Sequence, residues 1–236
     1  MGLFSRRRKA DQEPEQVDPN AQEEVAEERP RPERGPWDVA DMPELGQRID
    51  LGTLRVPARP NLKVRMELDK RTRQIVAVSL SVPGSALQVQ AFAAPRSGGL
   101  WEELRPELTA SVEKQGGTAD EVDGPFGREI LARLPVTTQD GRMGHRPARF
   151  VGVDGSRWFL RGVISGRAAI DPDAAKELED LFADVVVVRG QEARPPRDVL
   201  TLQIPGKAVA AEATPEPAET TSFDPLTRGP EITEIR

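Results

Sequence analysis

The sequence predicts an α+β domain, a mainly antiparallel sheet packed with at least two helices, between disordered N- and C-terminal tails. Three observations carry that expectation. Apolar and polar residues alternate strictly through Lys63–Leu68, and in Ile75–Val82 the residues Val76, Val78, Leu80 and Val82 fall on one face, the period of a strand with one buried face. At Leu100, Trp101, Leu104, Leu108 and Val112 the spacing switches to three and four, the period of a helix. Finally, Asp171-Pro172-Asp173 is a helix start, with Asp171 as N-cap, proline at the first helical position and acidic charge facing the dipole.

Taken in order, residues 49–57 read as a short strand closed by Pro57 and Pro60. Residues 63–68, 75–82 and 87–93 form an antiparallel meander, turning at residues 69–73 and at Pro83-Gly84. Residues 74–95 carry no charge, but Gln88, Gln90 and the central Pro83-Gly84-Ser85 make them two strands rather than a membrane span. The helix from Leu100 stops at Gly116-Gly117, and Pro106 predicts either a kink or a restart, because proline removes one helical hydrogen bond. Beyond it come Glu121-Val122-Asp123, a Gly124-Pro125-Phe126-Gly127 corner and a strand over residues 129–136. A polar loop at 137–147 precedes a strand at 149–153, and Asp154-Gly155 is a hairpin signal leading into the strand 157–166. The final helix buries Ala175, Leu178, Phe182 and Val185; a short strand follows at 185–188, and residues 199–204 form one more strand or an extended clamp.

Charge divides the 236 residues into three regions. Residues 1–40 hold 7 basic and 10 acidic side chains, residues 41–205 hold 23 of each, and residues 206–236 hold 3 and 6. We therefore expect a basic-then-acidic tail over 1–40, one α+β domain over 41–205 and a second tail over 206–236. An electrically balanced body lacks the concentrated basic face that binding to phosphate backbones needs, so no specific nucleic-acid partner is expected. Leu3, Phe4, Arg6, Arg7, Arg8 and Lys9 suit weak contact with an anionic membrane surface. Arg6 stands where a myristoylation signal has Ser or Thr, and no apolar stretch of signal-peptide length follows.

Several chemistries are excluded by composition. With no cysteine there is no disulfide, thiolate nucleophile or Cys-ligated metal, and the single histidine, His145, cannot build a multi-histidine site. Neither a Walker loop nor a serine nucleophile elbow occurs. Glu121 and Asp123 share a strand face but lack further oxygen ligands at defined spacing. No catalytic residue, metal ligand or cofactor is assigned.

The residues that stand out are Arg149, Arg157 and Arg161, set among Phe150, Trp158 and Phe159. Guanidinium forks beside aromatic faces suit a phosphorylated or acidic ligand. The alternative is structural, with Arg161 paired to Glu129 or another acid across the sheet. Arg149, Arg157, Trp158 and Arg161 are thus the candidate ligand- or partner-binding residues. At the C-terminus Glu231, Ile232 and Ile235 form a separate motif, suited to adding a strand to an exposed sheet edge in this molecule or a partner.

The opening MGLFSRRRK, residues 87–95, residues 150–166 and the closing residues 229–234 resemble the actinobacterial domain-of-unknown-function family numbered 3710. That resemblance implies a cytoplasmic protein and supplies no activity, catalytic residue or cofactor. At the level of fold, the element order is similar to the Mog1/PsbP-like sandwich, whose members are chiefly accessory, partner-binding proteins. The leading expectation is accordingly a non-enzymatic binding or adaptor domain with a protein partner. Its rivals are a nucleotide- or phosphate-binding accessory or enzyme built on Arg and carboxylates, and a peripheral membrane-surface protein.

Overall fold

The computed structural model describes residues 34–137 and 141–205. Its elements are β1 (Trp37–Asp38), β2 (Arg48–Asp50), β3 (Leu54–Pro57), β4 (Lys63–Leu68), β5 (Ile75–Val82), β6 (Ser85–Ala93), α1 (Leu100–Lys114), β7 (Thr118–Gly124), β8 (Gly127–Thr137), β9 (Met143–Asp154), β10 (Trp158–Gly166), α2 (Pro172–Ala183) and β11 (Val186–Val187). Seven strands form one antiparallel sheet in the order β4-β5-β6-β10-β9-β8-β7, and four short ones form a second in the order β1-β11-β3-β2. The fold is therefore the expected one, mainly antiparallel with two helices. The motif Glu231, Ile232 and Ile235 and the basic start lie outside the described residues.

Alternation decides which helix each strand face meets. Val78, Leu80, Leu87, Val89, Ala91, Val151, Leu160 and Ile164 point to one side, where they form a single core with Leu178, Leu181 and Phe182 of α2 and Leu54 and Val56 of the small sheet. α2 starts as its sequence requires: the Asp171 side chain accepts from the Asp173 and Ala174 backbone N–H groups, with Pro172 next. Gly162 lets α2 come close, because a Cβ there would lie 2.6 Å from Val151 Cγ2 and 2.9 Å from the Phe182 ring.

On the opposite side α1 packs over β7, β8 and β9, burying Leu100, Trp101 and Val112 against Ile130, Ala132 and Phe159. Its first residues are capped from another strand, since Asp154 accepts from the backbone N–H of Leu100 at 3.1 Å and of Trp101 at 3.1 Å. Gly152 leaves room for the Trp101 ring, whose indole N–H donates to the Arg128 carbonyl at 2.7 Å. Pro106 sits inside one continuous helix and starts no second one.

The structure departs from the sequence reading in three places, and at residues 199–204 it selects the second of two expected forms. Residues 49–57 are two strands, not one: Gly52, with φ of 81°, turns β2 into β3. The expected polar loop at 137–147 is largely strand, because β8 runs to Thr137 and β9 begins at Met143; His145 is an exposed strand residue opposite Pro135. Paired neighbours, rather than burial, hold those strand ends, so no apolar alternation marks them. Trp37–Asp38, read as tail, pairs in parallel with β11. Residues 199–204 are the clamp: Leu200 N donates to Ala91 O at 2.9 Å and Leu202 N to Ile75 O at 2.8 Å, filling the gap where β5 and β6 diverge. No helix among the described residues is long and apolar enough to cross a membrane.

Candidate functional site

The sheet separates the candidate residues. In the β9–β10 register Arg149 faces Ile164, and Arg161 faces Gly152. Directly paired residues share a face, so Arg149 points toward α2 and Arg161 toward α1. Arg157 is in the turn between the strands, where its Nη2 donates to the Gly190 carbonyl at 3.1 Å and its own carbonyl accepts from Arg189 Nε at 3.0 Å. Trp158 is buried, with its indole N–H donating to Asp38 Oδ2 at 2.7 Å, which fastens the segment before β2 to the core. The four residues thus have four different surroundings.

Arg149 lies between two carboxylates. Its Nη2 pairs with Glu179 of α2, and its Nε lies 3.4 Å from Glu129 Oε2. Glu129 is 0% exposed. Burial pushes its carboxyl pKa above the ordinary glutamate value, while the Arg149 charge and the Phe126 backbone N–H act in the opposite direction. The acid expected opposite Arg161 is therefore held by Arg149, and the pairing is a structural clamp of α2 onto β8 and β9.

Arg161 differs in every respect. Its Nη2 donates to Gln90 Oε1 at 2.6 Å, and its guanidinium stacks on Phe92 at 5.4 Å from the ring centroid. No carboxylate among the described residues pairs with it, and its Nε is buried without a hydrogen-bond partner. Burial alone lowers its pKa from the ordinary arginine value, yet a guanidinium remains a cation at neutral pH. The stack continues inward, Phe92 to Phe159 and Phe159 to Trp101, each 5.8 Å between centroids. Together these side chains form a rigid aromatic floor.

Beside that floor is a cavity of about 80 Å³ lined by Phe92, Leu100, Leu104, Leu108, Phe159, Arg161 and Arg197. Arg197 closes one side. Its guanidinium donates to Glu107 Oε1 at 3.0 Å and to Glu103 Oε2 at 3.2 Å on α1, and those bonds raise its pKa, Glu107 first. The groove is therefore apolar, with one cation already neutralised and another not. It has room for a single aliphatic side chain and lies beside a charge suited to a carboxylate or phosphate oxygen.

Sequence reasoning singled out Arg161 but missed its companions Gln90, Phe92 and Arg197. Gln90 and Phe92 alternate with Val89, Ala91 and Ala93 and so belong to the opposite face of β6, the one Arg161 shares, which was a usable signal; Arg197 follows Pro195-Pro196 in a segment with no period. Glu121 and Asp123 pair with arginines: Glu121 with Arg105 at 3.4 Å and Asp123 with Arg128 at 3.1 Å. Among the described residues no three His, Asp or Glu side chains converge as a metal site would need.

No curated protein matches the sequence. Residues 35–211 match the family described as "Protein of unknown function (DUF3710)", and the chain belongs to that family.

Proposed function

We propose that this DUF3710 protein is a partner-binding module whose contact point is the α1 groove, and that it takes from its partner an acidic group next to an aliphatic one. The observation that carries the reading is the charge of Arg161, half-buried, stacked on Phe92 and without a carboxylate partner among the described residues, at the edge of an apolar slot. Holding a cation there without a counter-charge is unfavourable, and an incoming carboxylate relieves it with a charge-assisted hydrogen bond. The size of the slot favours a protein over a small molecule, since about 80 Å³ is well below the roughly 300–1,000 Å³ of ordinary ligand pockets. The family resemblance supports a cytoplasmic setting, and the basic stretch Leu3 to Lys9 supports at most a weak accessory contact with anionic lipid.

The test is calorimetric titration of the full-length protein with short peptides containing Glu-Ile or Glu-Leu and their Gln-containing counterparts. Acidic peptides bind and the Gln forms bind at least ~10-fold more weakly, the ratio expected for loss of one charged hydrogen bond of about 1.5–3 kcal/mol. Arg161→Lys retains part of the affinity and Arg161→Gln none. Equal binding of Glu and Gln peptides contradicts the reading.

One observation favours a second reading, a phosphate-bearing small ligand. A wider cavity of about 630 Å³ runs along β4, lined by Asn61, Lys63, Arg65 and Ser81 among others. Thermal-shift measurements with nucleotides, with and without magnesium, separate the two: a shift abolished by Lys63→Ala with Arg65→Ala supports the second reading, and no shift removes it.

A further inference from the structure

We infer that the groove has an occupant in its own chain: the C-terminal segment Glu231-Ile232-Thr233-Glu234-Ile235, which docks on it and excludes an outside partner until displaced. The inference rests on the groove being a binding site, as proposed above, and adds what regulates it.

Complementarity is the first argument. The groove offers one apolar slot beside Arg161, a cation with no carboxylate partner among the described residues, whereas Arg197 is already engaged by Glu103 and Glu107. The segment holds the matching unit, an acid followed directly by a branched aliphatic residue, twice over: Glu231-Ile232 and Glu234-Ile235. As an added edge strand the same segment is poorly matched, because Ile232 and Ile235 are three apart and would point to opposite faces. A single slot needs only one of them.

The path of the chain is the second argument. Arg197 lines the groove, Val199 bridges to Phe92 at its floor, and the chain continues past Ile75 to an exposed Ile204. Gln203 N donates to Leu51 O, so the described residues leave at the same end of the sheet as the groove but on the α2 side, and the following chain has to pass round that end to reach it. The 27 residues from 206 to 232 span at most ~90–100 Å when extended, at ~3.3–3.6 Å each, which is ample for return. Being tethered, the segment meets the groove at an effective concentration on the order of millimolar, so a weak contact suffices.

The absence of cysteine makes the test clean. In the full-length chain, Leu108→Cys is combined with Thr233→Cys, and the rate of disulfide formation under a mild oxidant is compared with that of a chain carrying Lys176→Cys on the exposed side of α2 and the same Thr233→Cys. Leu104→Cys replaces Leu108→Cys if the latter folds poorly. The groove pair is expected to close within one molecule at least ~10-fold faster than the α2 pair, and Arg161→Gln to reduce it to the α2 rate. Equal rates overturn the inference, as do disulfide-linked dimers in place of monomers, or a fast rate indifferent to Arg161→Gln. Because a docked tail competes with an added peptide, the peptide titration is repeated on the full-length chain carrying Glu231→Gln and Glu234→Gln: at least ~10-fold tighter peptide binding than in the unaltered chain is expected, equal binding in the two overturns the tail, and binding in neither overturns the groove.

Discussion

Arg149 and Arg161 are on neighbouring strands of one sheet, yet the protein treats them oppositely. Arg149 faces the covered side, beneath α2, and meets Glu179 and a fully buried Glu129. Arg161 faces the side that α1 leaves half open, and meets an amide and a phenyl ring. A buried cation with two acids is part of the architecture, since removing it leaves uncompensated charge inside the fold. A half-buried cation with no acid does little for the fold and is available to a ligand. Counting arginines near aromatics in the sequence does not separate these roles; the sheet does.

The two arginines differ most in what they contribute to stability. Arg149→Met leaves Glu129 and Glu179 without their cation and is expected to lower the unfolding free energy by about 3–5 kcal/mol at neutral pH, measured by urea denaturation. Arg161→Met removes an unpaired charge together with one stacking contact and one hydrogen bond, effects of opposite sign, and is expected to change stability by less than about 1.5 kcal/mol. Similar losses for the two variants would erase the distinction.

A smaller loss is expected from each helix contact. Gly162→Ala drives a methyl into Val151 and Phe182 on the α2 side and is expected to cost about 1–3 kcal/mol by the same measurement. On the α1 side Asp154→Ala removes the acceptor for the Leu100 and Trp101 amides and is expected to cost about 1 kcal/mol, with faster hydrogen exchange confined to the first turn of α1. An Asp154→Ala loss as large as that of Arg149→Met would mean that α1 is as integral as α2.

Glu129 makes the stability of the α2 side depend on pH. Because burial raises its folded pKa above the unfolded value, the folded state binds the proton more tightly, so ionisation of Glu129 disfavours folding. That penalty is absent below the ordinary glutamate range. It grows as pH rises toward the raised folded value and is constant above it. Glu129→Gln removes the ionisation, so its stability relative to wild type should rise with pH across that window and then level off. A difference that is flat with pH would show that Arg149 fully offsets the burial.

The large sheet and both helices were legible because each has enough residues for its period to show. Lys63–Leu68 alternates over six residues, Val76, Val78, Leu80 and Val82 recur at every second position of β5, and α2 carries an N-cap and a proline in the right places. Of the small sheet, β3 and β11 were legible as the strands expected at 49–57 and 185–188, but β1 was not, since it has two residues and no period exists in two residues. The candidate site was half legible. Arg161 stood out, but its grouping with Arg149 depended on register. In the observed hairpin Asp154 pairs with Phe159, so an even number of residues separates the paired positions and 149 and 161 fall on opposite faces. The groove itself joins β6, β10, α1 and the clamp, segments far apart in the chain whose meeting no local pattern encodes.

The most direct measurement follows the arginine side chains themselves. Proton–nitrogen spectra of the Nε–H groups in the full-length protein carrying Glu231→Gln and Glu234→Gln, which frees the groove of its own tail, titrated with a Glu-Ile peptide, report on Arg149 and Arg161 in one experiment, with assignments from the Arg149→Met and Arg161→Met variants. We expect the Arg161 resonance to move saturably and the Arg149 resonance to stay in place. Movement of neither, or of both alike, would contradict the division of labour between the two faces of the sheet.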